Sequence, residues 1–465
     1  MSSTSQPNPP VPGAVAPTAH EATVAPGGLR EVLDLAYPVI LTQISMTAMG
    51  IVDSAMVGTL GATELGAVGF GGIWLWTFLC FFVGTTTGVQ TFVSQREGAG
   101  ALRECGSWAW HGIYAVVPMG LVATAVLFFG ASTFVRLLGP SEELQPLAAS
   151  YVSWRSLGMA GMLCAVSFSS FFRGIGDTRT PLYATLCANG VNVVLDYGLI
   201  FGELGLPQLG VTGAGIATAV AEWVYMAAML VPFVRPRVRE RYDTSNRTLV
   251  PDHVRRLLRT GAPIGGQWWL EMVSFAAFTT LVARMGDASM AASQAFVALL
   301  SISFMQAIGL ATAVQTLVGQ YIGADDPEHS DTAFRSGLKL AVLLAGAIAI
   351  LFTSVPEMLV GIFTDDPEVL RLGRPLMMVG ALFQFFDAFG IVADGALRGA
   401  GDTRWPFMIR LGLAWGVFVP LAYFFGIYLD LGLTWAWAAG AVHVALLSGT
   451  LVWRFRSGAW RHIVI

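Results

Sequence analysis

The sequence predicts an all-α integral membrane protein: twelve transmembrane helices in two parallel six-helix repeats, related by a pseudo-two-fold axis along the membrane normal. Three observations predict it. Hydrophobic residues make up 55% of the chain and charged residues only 12%, about half the ~25% charged share usual in soluble proteins. The apolar residues come in runs long enough to cross a ~30 Å hydrocarbon core, which takes ~20 residues of helix. The chain also repeats itself at an interval of 225 residues. Arg173-Gly-Ile-Gly-Asp-Thr-Arg179-Thr-Pro181 returns as Arg398-Gly-Ala-Gly-Asp-Thr-Arg404-Trp-Pro406, and Pro38/Pro263, Gln95/Gln320, Gly98/Gly323 and Glu143/Glu368 keep the same spacing. A period this long marks a duplicated half, not a solenoid unit of ~20–50 residues.

Taken in order, residues 1–29 are rich in Pro, Ser, Ala and Thr and hold no apolar run of signal-peptide type. They are expected to form a disordered cytoplasmic tail. The N-terminal lobe, 30–234, holds spans near 31–60, 66–95, 107–135, 147–171, 181–202 and 210–234. A basic cytoplasmic linker, 235–257, carries Arg235, Arg237, Arg239 and Arg241 with Pro236 and Pro251. The C-terminal lobe, 258–456, holds spans near 258–284, 290–321, 336–363, 372–397, 406–428 and 433–455, before a cytoplasmic C-terminal tail at 457–465. Six spans per lobe is an even number, so both lobes enter the membrane in the same sense.

Charge placement gives the orientation. With the N-terminus inside, the cytoplasmic side receives all but five of the 26 Lys and Arg residues, the five being Arg136, Arg155, Arg284, Arg371 and Arg374. The outer loops instead carry Glu142-Glu143 and Asp365-Asp366. This is the positive-inside pattern, with both termini in the cytoplasm. Cys80, Cys105, Cys164 and Cys187 lack metal or redox spacing and read as packing residues. No cofactor, metal centre or nucleic-acid partner is expected, and nothing in the chain calls for more than a monomer.

The chemistry is expected at charges inside the spans. Asp53, Asp196, Glu222, Glu271 and Asp387 sit well inside, with Asp394 nearer the cytoplasmic end, and no basic residue stands at comparable depth for most of them. An ionised group near the bilayer centre costs ~2.5–3.5 kcal/mol even on the lenient insertion scale. Each acid must therefore face a wet cavity, bind a cation or stay protonated. Asn192 lies one turn before Asp196 and Thr218 one turn before Glu222, so each pair shares a helix face. The duplication does not copy these acids: the repeat mate of Asp53 is Phe278 and that of Glu271 is Met46. Trp74, Phe81, Gln267, Trp268 and Phe385 are candidates for lining a substrate cleft, against the simpler reading that spanning aromatics pack. His443, alone in its span, reads as a helix–helix hydrogen-bonding residue.

Several stretches together resemble the multidrug and toxic compound extrusion (MATE) transporters: Ala36-Tyr-Pro38, Val52-Asp53-Ser-Ala-Met-Val-Gly58, Asn192-Val-Val-Leu-Asp196, Gly213-Ala-Gly-Ile-Ala-Thr218 and the two Arg-Gly-x-Gly-Asp-Thr-Arg loops. The resemblance runs from about Arg30 to Arg456. It implies that Asp53 is the ion-responsive group of the N-terminal lobe, with Asn192, Asp196 and Thr218 completing a cation site. Trp269-Leu-Glu271-Met and Gln384-Phe-Phe-Asp387-Ala resemble motifs of the NorM-type branch, which implies a second set of coupling acids in the C-terminal lobe.

The expected function is a secondary antiporter of the cytoplasmic membrane that exports amphiphilic, cationic organic compounds in exchange for H⁺ or Na⁺. Its partners are then small organic substrates and membrane lipid. A lipid-linked oligosaccharide flippase of the same architecture is the alternative, but it should place Arg or Lys in the central spans to hold a pyrophosphate. The chain has no HExxH or GxSxG pattern, so an enzyme is not expected. The duplicated loops read as structural elbows, their glycines allowing a tight turn and Asp177 and Asp402 capping the next helix.

Overall fold

The structure, a computed structural model, describes residues 25–364, 366–463 and 465. Within them the chain is helical throughout. The first half comprises α1 (Leu29–Gly58), α2 (Ala62–Gly98), α3 (Leu102–Leu138), α4 (Leu144–Ser156), α5 (Met159–Gly174), α6 (Arg179–Phe201) and α7 (Val211–Phe233). After a short α8 (Pro236–Tyr242) the second half follows: α9 (Pro251–Ala283), α10 (Asp287–Gly323), α11 (Pro327–Ser354), α12 (Pro356–Gly361), α13 (Pro367–Gly399), α14 (Arg404–Leu413), α15 (Val419–Tyr423) and α16 (Leu433–Arg456). Two π-helical turns, Ala414–Phe418 and Phe424–Tyr428, flank α15 and join it to α14 as one span. Pro420 explains the irregularity there, since it supplies no N–H to the ladder and its ring crowds the preceding turn.

Ten helical segments among the described residues are long and apolar enough to cross a membrane, or eleven with α4 and α5, bent by 45° at their junction, counted as one broken span. Helix α9 is long enough at 33 residues but too polar to qualify, because Gly261, Pro263, Gly265, Gly266, Gln267 and Glu271 dilute its apolar face. At 37 residues, α2, α3 and α10 run about 55 Å, longer than a ~30 Å hydrocarbon core.

The first half builds one core, from Val57 through Phe92, Trp108 and Phe171 to Phe233, and it takes in Leu257 of α9. The second half builds two. One holds Phe278, Phe296, Phe352 and Trp437. The other lies at the end where the chain starts and finishes, and it takes Val32 and Ala36 of α1 in with Val314, Val392, Leu451 and Trp460.

The halves are fastened at that termini end. Backbones of α2 and α9 come together at Gly84 against Gly265 and at Gly88 against Gly261, where an added Cβ would meet backbone atoms. Gly98 meets Gln320 of α10, and Gly323 meets Gln95 of α2. Side chains then exchange hydrogen bonds reciprocally under the 225-residue offset. Gln95 Nε2 donates to the Gly399 carbonyl (2.9 Å) and Gln320 Nε2 to the Gly174 carbonyl (3.0 Å). Thr91 Oγ1 donates to the Arg398 carbonyl (2.9 Å) and Thr316 Oγ1 to the Arg173 carbonyl (3.0 Å). Gln90 adds bonds to the Thr312 carbonyl and Thr316 Oγ1. The repeated loops therefore end helices whose last carbonyls serve as acceptors for the opposite half.

Several expected segment boundaries shift. Residues 1–24 of the expected tail lie outside the described residues, but its end is docked. Gly27 N donates to Glu31 Oε2 and Tyr321 Oη, and its carbonyl accepts from Ser336. The linker is likewise seated on α3: Trp110 Nε1 donates to the Thr244 carbonyl and Tyr114 Oη to the Arg247 carbonyl. Its last residues, from Pro251, already belong to α9. Within the expected tail 457–465, Trp460 also packs back, buried and stacked on Phe455.

Candidate functional site

In the first half the polar face of α6 meets α1. Asn189 Nδ2 donates to the Ser45 carbonyl and hydroxyl, which fixes the register between the two helices. One helical turn on, Asn192 Nδ2 donates to Asp196 Oδ2 at 2.6 Å, as the four-residue spacing requires. Asp196 is fully buried and reaches Asp53 of α1, the two carboxyl groups lying within hydrogen-bonding range. Oδ1 of Asp53 and Oδ1 of Asp196 are both buried with no donor. Two carboxylates are acceptors only, so this arrangement is complete only with a proton or a cation between them. Thr218 of α7 spends its hydroxyl on the Ala214 carbonyl (2.9 Å), and no hydrogen bond among the described residues brings it to the pair.

Beside this pair stands a group whose partner sequence reasoning did not find. Arg155, expected on the outer side, lies in the bent fourth span and pairs with Glu222 of α7 at 2.8 Å. The break makes room for the pair. Gly158 lies against Glu222 and the Ala219 backbone, where a Cβ would clash, and the carbonyls freed at the bend are taken by Trp223 Nε1 and Thr124 Oγ1. The signal was present, since Arg155 falls within the expected span 147–171.

The second half corrects the same expectation. Arg410 of α14 reaches Glu271 (3.4 Å) and Asp394 (3.9 Å), and Asp394 also pairs closely with Arg398. Of the six acids, Glu222, Glu271 and Asp394 thus have basic partners at their own depth, whereas Asp53, Asp196 and Asp387 have no ion pair among the described residues.

Asp387 and Glu271 share a cavity of about 240 Å³ with Arg410. Its walls are aromatic: Phe275, Phe304, Phe383, Phe418 and Trp437. His443 also lines it, stacked on Phe418, with Nδ1 buried and without a partner.

None of the aromatic and amide candidates lines this cavity. Trp74 packs on Phe70 and Phe134, Phe81 contacts Phe82, Trp268 lies against the first-half core, and Phe385 contacts Phe386 and Phe389. Gln267 is fully committed to structure: it donates to the Thr403 carbonyl and accepts from Arg398. Among the described residues no cluster of His, Cys, Asp and Glu fits a metal centre, and the four cysteines are free thiols.

Comparisons with known proteins agree with this architecture. The chain is 29% identical over 93% of its length, and 93% of the other, to a Thermotoga maritima protein described as "Probable multidrug resistance protein NorM". It is 31% identical over 87% of its length to a Pseudomonas syringae pv. tomato protein of the same description, covering 90% of that protein. Among solved structures it resembles an outward-facing conformation of a multidrug resistance MATE family transporter (TM-score 0.85, 19% identity, 94% of this chain and 97% of that one). It also resembles the eukaryotic MATE transporter AtDTX14 (TM-score 0.80, 19% identity, 94% and 99%). The family model MatE matches residues 38–198 and again residues 263–424, once in each half at the interval of the sequence repeat, and the chain belongs to that family.

Proposed function

We propose that this protein is a secondary antiporter of the cytoplasmic membrane, exporting amphiphilic, cationic organic compounds in exchange for H⁺ or Na⁺ by alternating access. The observation that carries the proposal is the Asp53–Asp196 pair. Two carboxyl groups held face to face, Asp196 fully buried and Asp53 half-buried, with Asn192 already spent on one of them, need a small cation or a proton to be stable. The relatives described as multidrug resistance proteins support the cargo class. The aromatic cavity around Asp387 suits an amphiphilic cation, its walls taking the apolar body and the unpaired acid the charge.

The proposed frame is twelve spans, with α9 supplying the seventh despite its polarity, in two parallel six-helix lobes. The basic residues then put the termini in the cytoplasm. The fastened end is the cytoplasmic one, and this conformation faces outward. Coupling follows if ion and cargo favour opposite conformations, because a ligand with equal affinity for both shifts nothing. Filling the Asp53–Asp196 site changes how α1 and α6 pack, and α1 transmits that change to the second half through Val32 and Ala36.

The buried arginines do not restore the flippase reading. Arg155, Arg398 and Arg410 are each neutralised by a carboxylate, which leaves Arg173 as the one buried arginine without an ion pair among the described residues, and one guanidinium is no pyrophosphate cradle.

The test is transport of a fluorescent cationic dye in proteoliposomes, with a pH gradient and a sodium gradient imposed separately. At least one gradient is expected to drive transport, and Asp53→Asn is expected to reduce it to background. Indifference to both gradients, or full gradient-driven transport by Asp53→Asn, overturns the proposal.

A further inference from the structure

The two copies of the Arg-Gly-x-Gly-Asp-Thr-Arg loop end differently, and the difference creates a cavity. In the first copy Asp177 Oδ1 accepts from Arg179 N (3.1 Å) and Thr180 N (3.0 Å), and its Oδ2 accepts from Thr180 Oγ1 (2.6 Å). It caps α6 in the ordinary way. In the second copy Asp402 turns to Arg454 Nε of α16 (2.8 Å). No side chain among the described residues accepts from the first N–H groups of α14, which leaves that helix end electropositive.

A cavity of about 280 Å³ lies in front of it, lined by Arg256, Arg259, Arg404 and Thr260, with Ile463 and Ile465 as an apolar wall. Asp402 also lines it, but its carboxylate is held by Arg454. None of the three cavity arginines has an ion pair among the described residues. Thr260 is only 7% exposed and its hydroxyl makes no hydrogen bond among the described residues, although its carbonyl accepts from Thr403.

The first half supplies an internal control. At the 225-residue offset, Arg256 and Arg259 stand where the first half has Glu31 and Asp34. Glu31 there accepts from Gly27 and Tyr321, and Arg179, the mate of Arg404, lies over the Tyr37 ring. One elbow is thus self-capped and flanked by acids, while the other has an open helix end and three unpaired guanidinium groups. A diffuse basic surface does not account for that inversion.

We propose that this cavity, between α9, the second loop and the C-terminal segment, is a binding site for a phosphate-bearing anion. The arginine forks and the α14 N–H groups would hold the phosphate oxygens, and Thr260 would donate a further bond. The isoleucine wall admits a phosphate joined to an apolar body, so a lipid phosphodiester and a free phosphate share the required chemistry. The site is separate from the ion pair in the first half and does not depend on the antiport reading.

The experiment uses the full chain purified in detergent. One arm titrates phosphatidylglycerol and, separately, phosphatidylcholine, reading bound lipid by native mass spectrometry. A second arm titrates inorganic phosphate by calorimetry. Binding in the first arm with preference for phosphatidylglycerol identifies a lipid source, and binding in the second a soluble one; either supports the site. Combining Arg256→Gln, Arg259→Gln and Arg404→Gln is expected to weaken that binding by about tenfold or more, since each charge-assisted bond lost is a large fraction of such an affinity. Combining Arg237→Gln, Arg239→Gln and Arg255→Gln removes the same charge from the same end outside the cavity and is expected to leave binding unchanged. Should the first triple variant fail to fold, Arg259→Gln alone is compared with Arg237→Gln alone under the same criterion. Equal weakening by cavity and control variants, or binding in neither arm, overturns the proposal.

Discussion

Arg155 and Glu222 carry the clearest lesson at the residue scale. Their 2.8 Å contact joins residues 67 positions apart, and neither is more than about a quarter exposed. A buried ion pair is a weak source of net stability, yet breaking it is costly, because the surviving charge has nowhere to go. Glu222→Gln is expected to destabilise the protein by about 3–5 kcal/mol, read as a lowered midpoint of thermal unfolding. Replacing both partners with methionine should recover most of that loss. A midpoint unchanged in Glu222→Gln would mean that Arg155 is solvated rather than paired. The same reasoning separates Asp53, Asp196 and Asp387 from the other acids. They have no ion pair among the described residues, and are hence the ones available to an ion or a cationic cargo.

Among the elements, the elbows divide into two physical roles. Both keep their turn through a glycine in the left-handed region, Gly176 at φ +85° and Gly401 at φ +83°, where any other residue is strained. The expected Asp cap is present only in the first. Asp177→Ala is expected to cost about 0.5–2 kcal/mol, the usual loss of an N-terminal cap. Asp402→Ala is expected to cost more, since it strips Arg454 of its partner in a largely buried setting. Comparing the two variants by thermal unfolding tests the assignment, and equal losses would count against it. The bend between α4 and α5 is a third elemental device, as it turns a span so that Arg155 reaches inward.

For the whole molecule, the decisive feature is where the two halves touch. Glycine contacts between α2 and α9 and the reciprocal Gln and Thr bonds fasten the termini end. Ser94 of α2 lies directly against Gly319 of α10, where an added Cβ would stand 2.8 Å from Ser94 Cβ, so Ser94→Cys with Gly319→Cys can close a disulfide once the two helices part by about 1 Å. With the exposed Cys187 replaced by serine, oxidation is expected to stop dye transport and reduction to restore it. Transport that continues under full oxidation would mean that this end does not open during the cycle.

By itself the sequence determined that the chain is helical with apolar runs of membrane length, that it is duplicated, and which acids lie inside those runs. Each is written in local or periodic terms: apolar runs of membrane length, an interval of 225 residues, and carboxylates inside those runs. The Asn192–Asp196 contact was legible for the same reason, since four residues is one helical turn. Only the tertiary structure decided that Arg155 and Arg410 neutralise Glu222 and Glu271, because both find their partners across helices distant in sequence, whereas Arg398 lies one turn from Asp394 on the same helix. Only it showed that Gln95 and Gln320 reach into the opposite half, and that Asp402 leaves its helix for Arg454. Pairing across helices depends on depth and rotation about each axis, and a linear chain records neither.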